Sequence, residues 1–271
     1  MKYQPVLPEH NDNVSHQQPL KEFFILLFGL IGIFLVVFWV LGFFVDMAVS
    51  SLSPEIEIEV FSGVDFLQGE ESTASDRQVK LQQLVNQLTT CAGIQHPIQV
   101  DILASEDINA VAYPGGKIAV YAGLLDQVHS ENGLAFVLGH ELGHIKNRDH
   151  LRALGRGLVL VALSVAFTGS HSDISQFLAP SMHLGHAQYS QNRESSADEI
   201  GLHVLQCYYG HVGGATEFFE ALQRSEHPIR LGLLHYFSSH PELQQRIARL
   251  HALSKSLNYT LGETKVDSDD L

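Results

Sequence analysis

Residues 23 to 45 read FFILLFGLIGIFLVVFWVLGFFV, an uncharged run of 23 residues bounded by Lys21-Glu22 and Asp46. As a helix it is about 34 Å long, enough to cross the roughly 30 Å hydrocarbon core of a bilayer. A membrane-spanning helix is therefore predicted, and the rest of the chain must sit on one side of it or the other. The rival reading is a cleavable signal sequence, whose apolar region usually runs about 7–15 residues. Here the run is longer and a polar stretch of 22 residues precedes it, although AVS at 48–50 resembles a cleavage site. Lys2 and Lys21 lie before the run, and no Lys or Arg follows it until Arg77. The positive-inside rule then puts the N-terminus in the cytoplasm and the main body across the membrane. In a Gram-negative bacterium that body is periplasmic and held to the inner membrane; the mitochondrial inner membrane is the alternative setting.

The remaining chain divides by composition. Residues 1–22 read as a loose tail and residues 46–76 as an acidic linker, in which EIEIEVF at 55–61 alternates as a short strand does. A domain is expected over 77–257, followed by a flexible acidic tail over 258–271. Inside the domain, apolar spacing predicts helices over 77–92, 131–148 with Ser130 as N-cap, 188–208, 212–225, and from Pro241 to about 256. Short strands are predicted over 98–103, 109–114 and 117–123, the last two joined by Gly115-Gly116. The fold class is α+β, helix-rich with a small sheet. A second apolar run, LVLVALSVAF at 158–167, is too short to span and reads as a buried helix or a flap. A re-entrant segment touching the membrane is the lesser alternative. The net charge of −14 argues against a nucleic-acid partner, which needs clustered Lys and Arg. Cys91 and Cys207 can form one disulfide in an oxidising compartment or remain two buried thiols.

Chemistry enters at VLGHELGHIKN, residues 137–147. On a helix, His140 and His144 stand one turn apart on one face, where two imidazoles can take neighbouring corners of a tetrahedral Zn²⁺. Glu141 sits one residue round from His140 and can act on a water as general base without being a ligand. A chain with 16 His can show this pattern by chance, so a third ligand is required. The candidate is Glu194 in NRESSADEIG, with Asp198 four residues on, placed to hydrogen-bond the far nitrogen of a ligand His.

Four blocks in order, NAVAYPGGKIAVYAGLL (109–125), GLAFVLGHELGHIKNRDH (133–150), NRESSADEIG (192–201) and SSHPELQQRIARL (238–250), resemble the HtpX-type and CAAX-protease-type zinc metallopeptidases. The resemblance is strongest to their Oma1-like branch, which has a single small catalytic domain. It implies a zincin-like fold with one Zn²⁺ per chain on His140, His144 and Glu194. It also implies Glu141 as base and proton shuttle, Asp198 behind the ligands, and His240 and Arg246 beside the metal as oxyanion stabilisers. Protein or peptide substrates are implied, and a substrate strand adding along Asn109, Ala110, Val111, Ala112 and Tyr113 would bind through main-chain hydrogen bonds. The expected function is a membrane-anchored metalloendopeptidase acting on misfolded or unassembled envelope proteins. A membrane-tethered assembly factor that keeps the fold without cutting is the competing reading. A lid over residues 158–187, or His240 resting in the fourth metal position, would hold such an enzyme latent.

Overall fold

A computed structural model of the protein describes residues 18–64, 76–168, 190–224 and 243–265. Helix α1 (Pro19–Ser51) contains the whole apolar run and continues six residues past its end. Its exposed positions are apolar from Phe23 to Met47, as a helix needs in lipid. After a two-residue break, helix α2 (Pro54–Phe61) follows. This overturns the strand expected at 55–61. The deciding signals are helix-start chemistry: Ser53 accepts from the Ile56 N–H as N-cap, Pro54 opens the helix, and Glu55 and Glu57 sit in the first turn.

Helix α3 (Asp76–Ala92) lies over a three-stranded sheet of β1 (Gln99–Leu103), β2 (Ala110–Tyr113) and β3 (Lys117–Tyr121). The order is β1-β3-β2, with β1 parallel and β2 antiparallel to β3. The β2 to β3 turn needs positive φ at Gly115 (83°) and Gly116 (73°), which glycine adopts without steric cost. A short helix α4 (Ala122–Gln127) follows directly, so β3 ends at Tyr121 and not at the expected 123. Helix α5 (Glu131–Asn147) starts at the Ser130 N-cap, whose side chain accepts from the Gly133 N–H. It is buried from Asn132 to Ile145. Arg148 in the left-handed region (φ 55°) ends it, and helix α6 (Asp149–Thr168) leaves in a new direction. Helices α7 (Gln191–Tyr209), α8 (Glu217–Arg224) and α9 (Leu243–Ser256) complete the described elements.

The core lies between the sheet, α3, α5, α7 and α8, around Leu84, Leu88, Phe136, Leu138, Leu142, Leu202 and Phe218. Cys91 near the end of α3 and Cys207 near the end of α7 form a disulfide across 116 residues of sequence. A loop of that length is where a cross-link most restricts the unfolded chain, by up to about 5 kcal/mol in the chain-entropy account.

Two features attach the anchor to the domain. Glu57 of α2 is buried; one of its oxygens accepts from the Gly115 N–H at 3.1 Å and lies 2.9 Å from His150 Nε2. Asp46 near the end of α1 meets Arg156 at 2.5 Å, Arg152 at 3.4 Å and Arg193 at 3.8 Å. The stretch read as a linker therefore carries a helix with buried contacts to the hairpin and to α6. Likewise, residues 158–168 of the expected lid belong to α6, which packs along α1; residues 169–187 lie outside the described residues.

Candidate metal centre

The centre depends on how closely α5 and α7 approach. A Cβ added at Gly143 would stand 2.8 Å from the Ala197 Cα, and one at Gly139 would stand 3.2 Å from the Gly201 Cα. Small residues on both helices thus bring the His140 and His144 face of α5 against the Glu194 and Asp198 face of α7. All four of these side chains are buried.

The Nε2 atoms of His140 and His144 lie 3.1 Å apart. Glu194 Oε2 is 3.6 Å from His140 Nε2, and its Oε1 is 3.4 Å from His144 Nε2. Nitrogen and oxygen ligands at about 2.0–2.1 Å from a tetrahedral ion stand about 3.3 Å from one another. The three donors therefore fit one small divalent cation, and all lie within 4.8 Å of one another. Behind each imidazole is a carboxylate. His140 Nδ1 is 3.0 Å from Asp198 Oδ1, and His144 Nδ1 is 3.0 Å from Asp149 Oδ2. The Asp149 pair fixes the tautomer that leaves His144 Nε2 for the metal, while the His140 ring also faces Arg246 Nη2, 2.8 Å from its Nδ1 and 3.1 Å from its Nε2.

Glu141 points to the sheet, where its Oε2 accepts the Ala112 N–H at 3.0 Å. Strand β2 is at the sheet edge in the described residues, and this N–H faces away from β3. Asn109 precedes β2, and Ala110, Val111 and Tyr113 flank Ala112 along it, all buried. Arg246 is 1% exposed and reaches in from α9. Its Nε donates to Asp198 at 3.0 Å, its Nη2 to Asp198 Oδ1 at 2.6 Å, and its Nη1 is 3.1 Å from Glu194 Oε2. The guanidinium lies 4.6 Å over the Phe219 ring. Arg246 thus sits between the two carboxylates behind and beside the ligands. His240 lies outside the described residues.

The sequence profile of Peptidase family M48 matches residues 75–254, from the start of α3 to near the end of α9. The chain belongs to peptidase family M48. It is 29% identical over 224 residues to a protease HtpX homolog of Methanopyrus kandleri, covering 68% of this chain and 69% of that one. It is 31% identical over 157 residues to the metalloprotease LoiP of Escherichia coli, covering 55% of this chain and 60% of that one. It is 28% identical over 159 residues to the mitochondrial metalloendopeptidase OMA1 of Schizosaccharomyces pombe, covering 56% and 45%. The chain thus spans about three fifths of the E. coli relative and less than half of the yeast one. Family membership makes this an M48 metallopeptidase, whose metal dependence matches its His-His-Glu cluster, and the apolar α1 together with the HtpX and OMA1 relatives makes it membrane-associated.

The M48 centre contains a residue that the sequence reading missed. Asp149 follows His144 by five positions, outside the helix that carries the motif, so no helical spacing points to it. The left-handed Arg148 turns the chain so that Asp149 comes back onto His144. Arg193 Nε lies 3.3 Å from Asp149 Oδ1, which links this carboxylate to α7 and, through Asp46, to α1.

Protonation in the metal-free M48 centre is uneven. Burial and the adjacent Arg246 cation drive His140 down to about 3. Burial also opposes charge on His144, but its bonds to Asp149 and Glu194 and the nearby Glu141 outweigh it and hold His144 up to about 9. A metal must therefore displace a proton from His144 and none from His140. Apparent metal affinity is expected to rise about tenfold per pH unit, one proton per ion, up to about pH 9, and then level off. Competition with a fluorescent chelator across pH 6–9 measures this; a slope of two protons would contradict the neutral His140.

Proposed function

We propose that this protein is a zinc-dependent metalloendopeptidase that hydrolyses peptide bonds in misfolded or unassembled envelope proteins. Its catalytic domain would stand on the periplasmic side of the inner membrane. The observation that carries the reading is the convergence of His140, His144 and Glu194 beside a Glu141 fixed to an edge strand. That donor set, two imidazoles and one carboxylate, suits Zn²⁺ in a catalytic site with one position left open. Zinc bound there would supply a Lewis acid, lowering the pKa of a bound water and polarising the scissile carbonyl.

The chain's own residues supply the rest. The Ala112 N–H holds the Glu141 carboxylate in place. Glu141 takes the proton of the attacking water and delivers it to the leaving amide nitrogen. A substrate strand lying along Asn109–Tyr113 would be aligned by main-chain bonds, a mode with weak sequence preference that suits unfolded clients. Arg246, held on Asp198 and Glu194, acts through those carboxylates as a positioning residue. Asp198 is driven by burial toward protonation, yet Arg246 and His140 together hold it down at about 2.

The periplasmic setting is supported by two independent features. Along the chain, Lys2 and Lys21 precede the apolar run of α1 and no Lys or Arg follows it until Arg77. The Cys91 to Cys207 disulfide suits an oxidising compartment.

The test uses the full chain in detergent or vesicles with unfolded casein. Cleavage is expected with one equivalent of zinc, loss with a tight chelator, and recovery on adding zinc back. No cleavage with zinc or with any other divalent metal would sink the protease reading and leave the assembly-factor reading standing.

A further inference from the structure

Helix α6 runs antiparallel to α1 in close register. Arg148 donates to Val49 O at 2.9 Å, Arg152 to Asp46 O at 3.2 Å, and Arg156 pairs with Asp46. A Cβ on Gly155 would stand 2.5 Å from Val45 Cγ1, and one on Gly42 would stand 3.9 Å from Arg156 Nε. As α6 advances from 148 to 156, its partners on α1 fall back from 49 to 42. The trace of this contact continues along α1. Phe34, Val37, Phe38, Gly42, Val45, Asp46 and Val49 are its covered positions between residues 31 and 50, at three- and four-residue spacing. That stripe reaches back to Phe34, deep in the uncharged run.

Charge changes along α6 at the same level. Arg148, Arg152 and Arg156 gather around Asp46, where the apolar run of α1 ends. From Gly157 to Thr168 there is no charged residue. The polar Ser164 donates back to Val161 O at 2.8 Å, which satisfies it within the helix. Beyond the crossing, Leu158, Ala162 and Ala166 are exposed positions of α6, each four residues apart. Small residues at the crossing, Gly42 and Gly155, suit helix packing in lipid, where close backbone approach replaces the hydrophobic drive.

We propose that Gly157–Thr168 of α6 lies in the hydrocarbon of the leaflet nearest the domain, packed on α1, so that the chain enters the bilayer at a second place. This rests on the reading of α1 as a membrane-crossing helix. If the Arg and Asp46 cluster marks the headgroup level, twelve further residues reach about 18 Å, little more than half of the hydrocarbon core. The segment is therefore re-entrant. The chain is back at the boundary by Arg193, which contacts both Asp46 and Asp149. The occupant of the Leu158, Ala162 and Ala166 face is lipid acyl chain.

The test is lipid quenching in the full chain. Leu158→Cys, Ala162→Cys and Ala166→Cys are each labelled with an environment-sensitive fluorophore, the native cysteines being protected as a disulfide. The proteins are reconstituted in phosphatidylcholine vesicles carrying spin-labelled lipid, with Leu35→Cys as a membrane control and Asp126→Cys as an aqueous control. Spin label near the headgroup is expected to quench position 158 most, and label deep in the acyl chain to quench 166 most. Aqueous iodide should quench only position 126. Iodide quenching at 158 to 166 overturns the proposal, as does resistance to both quenchers, which would mean protein cover. Absence of lipid quenching at Leu35→Cys as well would show that the anchor reading itself had failed.

Discussion

Replacing Glu141 with glutamine is expected to leave a folded, metal-loaded protein that cleaves unfolded casein about 100- to 10,000-fold more slowly. The substitution preserves shape and an acceptor for the Ala112 N–H at the edge of β2. It removes only the ability to take a proton. His140, His144 and Glu194 remain in place, so bound zinc, measured by elemental analysis, should stay near one per chain. His140→Ala is the contrast, because it removes a donor from a three-ligand set and should lose both metal and activity. Equal casein cleavage by wild type and Glu141→Gln would remove Glu141 from the mechanism.

The second large effect concerns stability. Arg246→Ala strips the cation from a buried cluster in which Asp198 and Glu194 are each 1% exposed. Breaking such a buried network by removing one partner costs about 3–5 kcal/mol. For a domain of this size, that lowers Tm by about 6–20 °C. Metal should recover part of the loss, since a divalent ion neutralises Glu194 but does not touch Asp198. The effect has a pH signature. The carboxyl of Asp198 is held at about 2, below the ordinary aspartate value of 3.8. Its contribution is therefore present above the unfolded value and is lost as pH falls through the folded one. The gap between wild type and Arg246→Ala should narrow as pH falls from about 4 toward 2. Thermal melts of the metal-free protein measure this. A variant as stable as wild type at neutral pH would mean that Arg246 carries no such load.

Much of the site was legible because its parts lie on helices with simple spacing. His140 and His144 share a face of α5, and Glu194 and Asp198 share a face of α7; the structure brings those faces together. The hairpin was legible from Gly115-Gly116, though not the use of the Ala112 N–H to hold Glu141. Asp149 was hidden because a left-handed residue, and not a helical repeat, delivers it to His144. At 55–61 two signals conflicted. Alternation suggested a strand, but Ser53-Pro54-Glu55 is helix-start chemistry, and the buried Glu57 finds partners in Gly115 and His150. Local capping outweighed periodicity there. The course of α6 could not be read from composition, because a short apolar run looks the same in a core and in a bilayer.

Glu57 and Asp46 make the domain a seated body and not one on a leash. A leashed enzyme sweeps a hemisphere set by its tether length. A seated one works at a single height. Only two contacts, Asp46 to Arg193 and Arg193 to Asp149, separate the end of the apolar run from the carboxylate that holds His144. If α1 crosses the bilayer as proposed, the cutting plane would lie close above it. Among the unfolded chains proposed as substrates, those that emerge from the membrane or lie on its surface would then come within range, and segments far out in the compartment would not.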